Sequence, residues 1–129
     1  MADPIVPVSW GELLDKVAIL EIRRLRLRAP EAVANAEREL AALGPALARL
    51  ESAPADLTEL RAALAAVNQR LWTIEDRIRE RDAAGDFGLE FVALARSVYR
   101  ENDERGRIKR AINLLLGSGL VEEKQYSAY

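Results

Sequence analysis

The chain of 129 residues contains neither cysteine nor histidine. The absence of cysteine excludes a disulfide framework and thiolate chemistry. The absence of histidine removes the commonest general base and the commonest transition-metal ligand. The acidic residues also lack the spacing of a calcium-binding loop. We therefore expect no metal and no cofactor, and the sequence favours a protein without enzymatic activity.

Long apolar runs and an excess of charge of one sign are missing as well. No stretch approaches the roughly 20 apolar residues that span a bilayer, and the N-terminus lacks the pattern of a secretory signal. The 19 Lys and Arg residues against 21 Asp and Glu give a formal net charge of −2. This balance disfavours duplex nucleic-acid binding, which depends on neutralising phosphates. We expect a cytoplasmic protein that neither inserts into a membrane nor binds nucleic acid.

Hydrophobic residues at helical spacing dominate the rest of the sequence. Half of the residues are hydrophobic and 31% are charged, which is the balance of a globular domain. The spacing predicts an all-α fold, a four-helix bundle-like single domain over residues 1–129. The predicted helices cover residues 9–28, 30–51, 56–82 and 89–116. An extended N-terminal segment precedes them and an irregular C-terminal tail follows.

Local sequence signals mark where helices begin and bend. Ser9 with Glu12 three residues later forms a capping box, and Asp56 with Glu59 forms a second one. Pro45 lies inside the predicted second helix, where proline removes a backbone donor and clashes with the preceding turn. We expect a kink or a short break there, without a new domain.

The second and third predicted helices carry apolar residues at alternating spacings of three and four, as in a coiled coil. The first series is Val33, Ala36, Leu40, Leu43, Leu47 and Leu50, and the second is Leu57, Leu60, Leu64, Val67, Leu71, Ile74 and Ile78. Two such helices with a short connection form an antiparallel hairpin. The sequence thus predicts a central antiparallel coiled-coil hairpin of these two helices, and the long apolar seams favour a homodimer.

A second face of the third helix carries polar residues. Asn68, Trp72, Glu75 and Arg79 line up on it, and Asp76 lies next to them. Trp72 combines a large ring with one N–H donor. This face either packs against a neighbouring helix, with an ordinary surface ion pair, or belongs to a binding site.

The apolar stripe of the fourth helix lapses between Val98 and Ile108. Asn102, Asp103, Arg105 and Gly106 lie in this gap. Gly106 is unfavourable inside a helix, but it can allow a close approach of another backbone or of a ligand.

A neighbouring face of the fourth helix carries Arg96, Tyr99 and Asp103. These side chains could bind an anion or a sugar, or they could form a structural Arg–Asp network. On the first helix, Asp15 and Lys16 are either simply exposed or directed towards the same site.

Four sequence motifs resemble those of a family of short bacterial proteins of unknown function. They lie within residues 6–16, 68–79, 94–105 and 121–126 and contain the patterns ELLDK, NxxLWxIEDxIR, LARSVYxxNDxR and EEKxY. The resemblance covers nearly the whole chain, although residues 29–52 match only in helical character. It implies that the polar residues of these motifs are recurrent. It also implies a link to surface-polysaccharide biosynthesis, because members of that family are often encoded near glycosyltransferase genes.

Two functions follow as hypotheses. In the first, the protein is a non-catalytic helical accessory or adaptor protein for a glycosyltransferase-type enzyme. In the second, a polar site between the first, third and fourth helices binds an anionic or sugar-like ligand, such as a nucleotide sugar. The candidate ligand-binding residues are Asp15, Lys16, Asn68, Trp72, Glu75, Asp76, Arg96, Tyr99, Asn102, Asp103, Lys109 and Asn113. We favour the first hypothesis, and no catalytic residue can be assigned.

Overall fold

The computed structural model describes residues 1–128, which form four α-helices and no β-strand. The helices are α1 (Trp10–Arg26), α2 (Pro30–Ala48), α3 (Asp56–Ala83) and α4 (Leu89–Leu115). The predicted all-α, four-helix bundle-like fold is confirmed. No helix in the described part of the chain is long and apolar enough to cross a membrane. Residue 129, the last of the predicted tail, lies outside the described residues.

The first helix, α1, lies at the centre of the fold and contacts each of the other three helices. Its burial reflects this position, because Leu13, Leu14, Val17 and Leu20 are all buried. These residues recur at spacings of three and four, so α1 presents apolar surface over a wide arc. The predicted N-cap is confirmed, since the Ser9 hydroxyl accepts the Glu12 backbone N–H at 3.1 Å.

The predicted coiled-coil hairpin of the second and third helices is wrong. In the structure α2 packs against α1, and no Cα atom of α2 lies within 8 Å of α3 or α4. Ala36 is the one buried residue of α2. Heptad spacing shows that a helix has an apolar seam, but it does not show which neighbour fills that seam. Here α1 supplies the partner surface for α2.

The hairpin of the structure is formed by α3 and α4, which share the most extensive helix–helix contact. Their short connection makes them antiparallel neighbours. The central cluster of buried side chains comes from α1, α3 and α4 and contains Leu14, Ala18, Leu57, Leu64, Val67, Ile108 and Ile112. Burying these side chains removes apolar surface from water, which stabilises the bundle.

The second predicted capping box differs from the structure. The N-cap of α3 is Ala55 and makes no side-chain capping bond. Asp56 lies instead in the first turn, where a carboxylate still interacts favourably with the helix dipole. Pro45 neither breaks α2 nor begins a new helix, because α2 continues to Ala48. The N–H of Arg49 then bonds to the carbonyl three residues earlier, as in a tightened final turn.

The N-terminus of α1 is closed by the C-terminal part of α4 and by the residues that follow it. The Gly11 N–H donates to Asn113 Oδ1 at 2.6 Å, and the Trp10 N–H donates to Ser118 Oγ at 3.2 Å. These bonds satisfy donors that have no partner within the helix. A Cβ atom at Gly11 would lie 2.5 Å from the Lys109 carbonyl oxygen. Glycine at position 11 therefore permits the close approach of the two helices.

Replacing Gly11 by alanine should lower the free energy of unfolding by about 1–3 kcal/mol, because the new methyl group clashes with backbone. Thermal or urea unfolding measures the change. Gly106→Ala is the matched control, since its Cβ would lie at an ordinary 3.6 Å from the Lys124 amine. The free energy of unfolding of that variant should rise by up to about 1 kcal/mol, because alanine favours the helix more than glycine does. Equal effects of the two substitutions would contradict the close packing at Gly11.

Candidate functional site

Asp15 is a buried carboxylate in the middle of α1, with 1% of its surface exposed. Its Oδ1 accepts from Asn68 Nδ2 at 2.9 Å and from Arg105 Nε at 2.9 Å. Its Oδ2 accepts from Arg105 Nη2 and lies 3.3 Å from Lys109 Nζ. The carboxylate therefore joins α1 to α3 through an amide and to α4 through two cations.

The pKa of Asp15 reflects two opposed effects. Burial disfavours the charged form and by itself raises the pKa. The hydrogen bonds from Arg105 and Asn68, with the positive charges of Arg105 and Lys109, outweigh burial and hold the pKa below its ordinary value. The same contact raises the pKa of Arg105. Asp15 is thus an ionised anchor, and it is unsuited to act as a general acid near neutral pH.

The ion pairs continue outward from Asp15. Lys109 Nζ also contacts Glu12 Oε2 at 2.7 Å, and Lys16 Nζ contacts Glu39 Oε1 on α2 at 2.6 Å. Among the described residues, no buried side-chain nitrogen or oxygen lacks a hydrogen-bond partner. The charges around Asp15 are therefore largely neutralised within the protein.

A groove of about 530 Å³ runs between α1, α3 and α4 beside this network. We call it the α1–α3–α4 groove. It is lined by Ile19, Arg23, Asn68, Leu71, Trp72, Glu75, Asp76, Arg79, Asn102 and Arg105. Five residues predicted to form a ligand site lie together here, namely Asn68, Trp72, Glu75, Asp76 and Asn102. Their convergence requires α3 and α4 to lie side by side, as the hypothesis of a site between the first, third and fourth helices assumed.

A smaller hollow of about 210 Å³ adjoins the groove at α1. The predicted residues Asp15 and Lys16 line it, and Ile19, Arg23 and Arg105 belong to both the hollow and the groove. Asp15 is nevertheless enclosed by its partners. The hollow therefore presents the cations of Lys16, Arg23 and Arg105 together with the carboxylate of Glu12.

The remaining predicted residues lie elsewhere on α4. Asp103, Lys109 and Asn113 line a separate hollow of about 550 Å³ beneath the C-terminal tail. The tail is held there in part by an Arg110–Glu123 ion pair at 2.8 Å. The single predicted site is thus divided between the two sides of α4.

Arg96 and Tyr99 line neither the groove nor the hollow beneath the tail. A hydrogen bond from Arg96 lowers the pKa of the exposed Tyr99 hydroxyl. These two residues are therefore not part of the α1–α3–α4 groove.

The polar side chains of the groove differ in whether they already have a partner within the protein. Glu75 is paired with Arg79, and Arg105 Nη1 makes only a long 3.5 Å contact with Asn102 Oδ1. Within residues 1–128, the side chains of Trp72, Arg23 and Asp76 have no hydrogen-bond or ion-pair partner. The groove therefore offers an indole N–H, a guanidinium and a carboxylate to solvent.

Arg23 and Arg105 are functional candidates that sequence reasoning did not select. Arg105 occupies a seam position of α4, because Val98, Glu101, Arg105 and Ile108 continue the three-four spacing. A charged residue in such a position indicates a polar partner on a facing helix, and this signal could have identified it. Arg23 gave no such signal, because it is one of several basic residues in the last turn of α1, where cations are common.

The part of the chain that carries the network and the groove matches a known protein family. The model of a family of unknown function (DUF6165) matches residues 5–129. The chain belongs to this family. The matched range contains all four helices and every residue of the groove. Searches among curated proteins and among solved structures gave no match.

Acid should weaken the fold through Asp15. Because its pKa is lower in the folded chain than in the unfolded chain, ionised Asp15 contributes its full stability above the ordinary value of 3.8. That contribution is lost as the pH falls from there through the folded-state pKa. Asp15→Asn should therefore lower the free energy of unfolding at pH 7 by about 3–5 kcal/mol, and flatten its pH dependence below pH 4. Urea unfolding across the pH range measures both effects.

The control for Asp15 is Glu104→Gln, which breaks an exposed pair with Arg107. It should change the free energy of unfolding by less than about 1 kcal/mol. If Asp15→Asn were no more destabilising than this control, the network would not be an anchor of the fold.

Proposed function

We propose that this protein is a non-catalytic accessory protein of glycan biosynthesis and that it binds a small anionic or sugar-like ligand in the α1–α3–α4 groove. The observation that carries the proposal is the convergence of Trp72, Asn102 and Asp76 with Arg23 in one open groove. The link to glycan biosynthesis comes from the motif resemblance.

The chemistry of the groove suits binding better than catalysis. Catalytic acids and bases have pKa values shifted towards the operating pH, whereas the pKa of buried Asp15 is lowered further from neutrality. Both oxygens of that carboxylate are occupied by donors. The accessible groups of the groove are the Trp72 indole, the Asn102 amide, the Arg23 guanidinium and the Asp76 carboxylate. Together they suit the orientation of a ligand better than the transfer of a proton.

Ligand binding should raise the melting temperature. A ligand that binds only the folded state raises the free energy of unfolding by about 2.7 kcal/mol when its concentration is a hundred times its Kd. Thermal-shift scans against nucleotide sugars, nucleotides, sugar phosphates, neutral sugars and amino acids measure this. We expect at least one of these compounds to stabilise the native chain, and Asn102→Ala to abolish the shift.

Arg96→Ala is the matched control because Arg96 lies on α4 but does not line the groove. It should retain the shift in full. A cooperative melt that no compound displaces would refute the proposed ligand site, and equal loss in both variants would place the ligand elsewhere.

An adaptor role is the second candidate, and the outer part of the α3–α4 hairpin favours it. None of residues 72–107 is buried. Near the tip, Phe87 is 57% exposed and Leu89 is 91% exposed. Apolar side chains presented together in this way are typical of an interaction surface. We call residues 72–107 the hairpin extension.

A second copy of the chain is the partner that best fits the hairpin extension. Both of its helices carry heptad-spaced apolar residues, so two hairpins can complete a four-helix arrangement with twofold symmetry. Arg77, Glu80 and Asp82 have no side-chain ion-pair partner within the described residues. Unpaired charges of both signs allow a twofold-related copy to supply opposite charges.

Light scattering after size-exclusion chromatography should therefore give twice the chain mass for the native protein. The Leu89→Glu variant should have the mass of a single chain, because the substitution places a charge in the apolar contact between the two copies. Leu25→Glu changes another highly exposed leucine, which lies outside the extension, and should remain dimeric. A native monomer at high concentration would exclude the second copy and leave a different protein as the partner.

A further inference from the structure

The charges of the α1–α3–α4 groove identify one cation without an internal partner. Three arginines line the groove, namely Arg23, Arg79 and Arg105. Arg79 is paired with Glu75, and Arg105 is paired with Asp15. Arg23 has no carboxylate partner among residues 1–128. A ligand that reaches Arg23 therefore gains an ion pair without breaking one in the protein.

Arg105 lies beside this free cation, with its orientation fixed. Asp15 accepts from the Nε and Nη2 edge of the guanidinium. A guanidinium has five N–H donors in a rigid planar fork, so the Nη1 edge remains for other acceptors. Its one contact is the 3.5 Å approach to Asn102. Arg23 and Arg105 also both line the adjoining hollow, which places them at the same end of the groove.

The other end of the groove suits a ring that bears hydroxyl groups. Trp72 is half-buried and its indole N–H has no partner within the described residues. The faces of aromatic side chains pack against sugar rings and other flat apolar surfaces. Asp76 adds an unpaired carboxylate that accepts from hydroxyls. Asn68 and Asp76 are about 12 Å apart along α3 at the usual helical rise, so the carboxylate stands away from the arginine end.

We propose that the groove ligand is a phosphorylated sugar, with the phosphate at Arg23 and Arg105 and the sugar ring on Trp72. Planar guanidinium groups recognise phosphate through paired, charge-assisted hydrogen bonds. The proposal rests on the proposed function and assigns the chemical class of the ligand. A hexose 1-phosphate and a nucleotide sugar share this chemistry, and they differ in whether a nucleoside extends beyond the phosphate.

Tryptophan fluorescence gives a direct test, because the chain contains two tryptophans. In Trp10→Phe, Trp72 is the single reporter. Titration with glucose 1-phosphate, galactose 1-phosphate, UDP-glucose and UDP-galactose should change its emission saturably with at least one compound. The free sugar should bind at least about tenfold more weakly, as expected for loss of a charge-assisted contact. Calorimetric titration of the native chain provides the same comparison if Trp10→Phe does not fold.

Charge variants separate a specific site from general attraction. Arg23→Gln should weaken binding of the active compound about tenfold or more. Arg24→Gln is the matched control, because Arg24 is also exposed and unpaired in the described chain but lies outside both the groove and the hairpin extension. It should leave the affinity unchanged.

The compounds themselves distinguish the two classes of phosphorylated sugar. Stronger response to the 1-phosphates identifies free sugar phosphates as the ligand, and stronger response to the UDP-sugars identifies nucleotide sugars.

Three results would overturn this assignment. They are equal binding of phosphorylated and free sugars, equal effects of Arg23→Gln and Arg24→Gln, and no response to any phosphorylated compound. If a neutral sugar or an amino acid nevertheless stabilises the chain in an Asn102-dependent way, the groove remains a ligand site and only the phosphate assignment fails. If no compound of the wider scan stabilises the chain, the proposed function fails with it.

Discussion

The buried charge of Asp15 is the constraint on which the arrangement of α1, α3 and α4 depends. A carboxylate removed from water is strongly unfavourable unless donors and cations replace its hydration. Here Asn68 of α3 and Arg105 and Lys109 of α4 replace it together. A shift of α1 by one helical turn would leave the charge without partners. We infer that this network fixes the register of α1, and the Gly11–Asn113 contact one turn earlier supports the same register.

The network also determines what the groove can present. Arginine and tryptophan side chains are useful for recognition when their orientation is fixed by other contacts. Arg105 meets this condition because Asp15 holds one edge of its guanidinium and leaves 27% of the side chain exposed. The interaction that stabilises the bundle thereby orients a donor at the groove. This is the reason that stability and recognition are expected to depend on the same residues.

Sequence patterns predicted the elements of this fold better than their partners. Ser9 marked the start of α1 because capping is a local interaction. The heptads of α2 and α3 showed apolar seams, yet pairing the two helices was wrong, because α2 packs its seam on α1 instead. For the site, the polar face of α3 and the gap in α4 were informative. The joining of Asp15 to Arg105 across the bundle is a tertiary contact, and no local spacing in the sequence encodes it.

The groove and the hairpin extension overlap, and this overlap links the two proposed interactions. Trp72, Asp76 and Asn102 line the groove and also lie within residues 72–107, where no residue is buried. A second copy that packs along the extension would approach the open side of the groove. Two binding events that share residues change each other's affinity by the same factor. A ligand enclosed between copies would strengthen the dimer, whereas a ligand that projects from the groove would weaken it. The effect of ligand on chain mass would therefore reveal the direction in which the bound molecule extends.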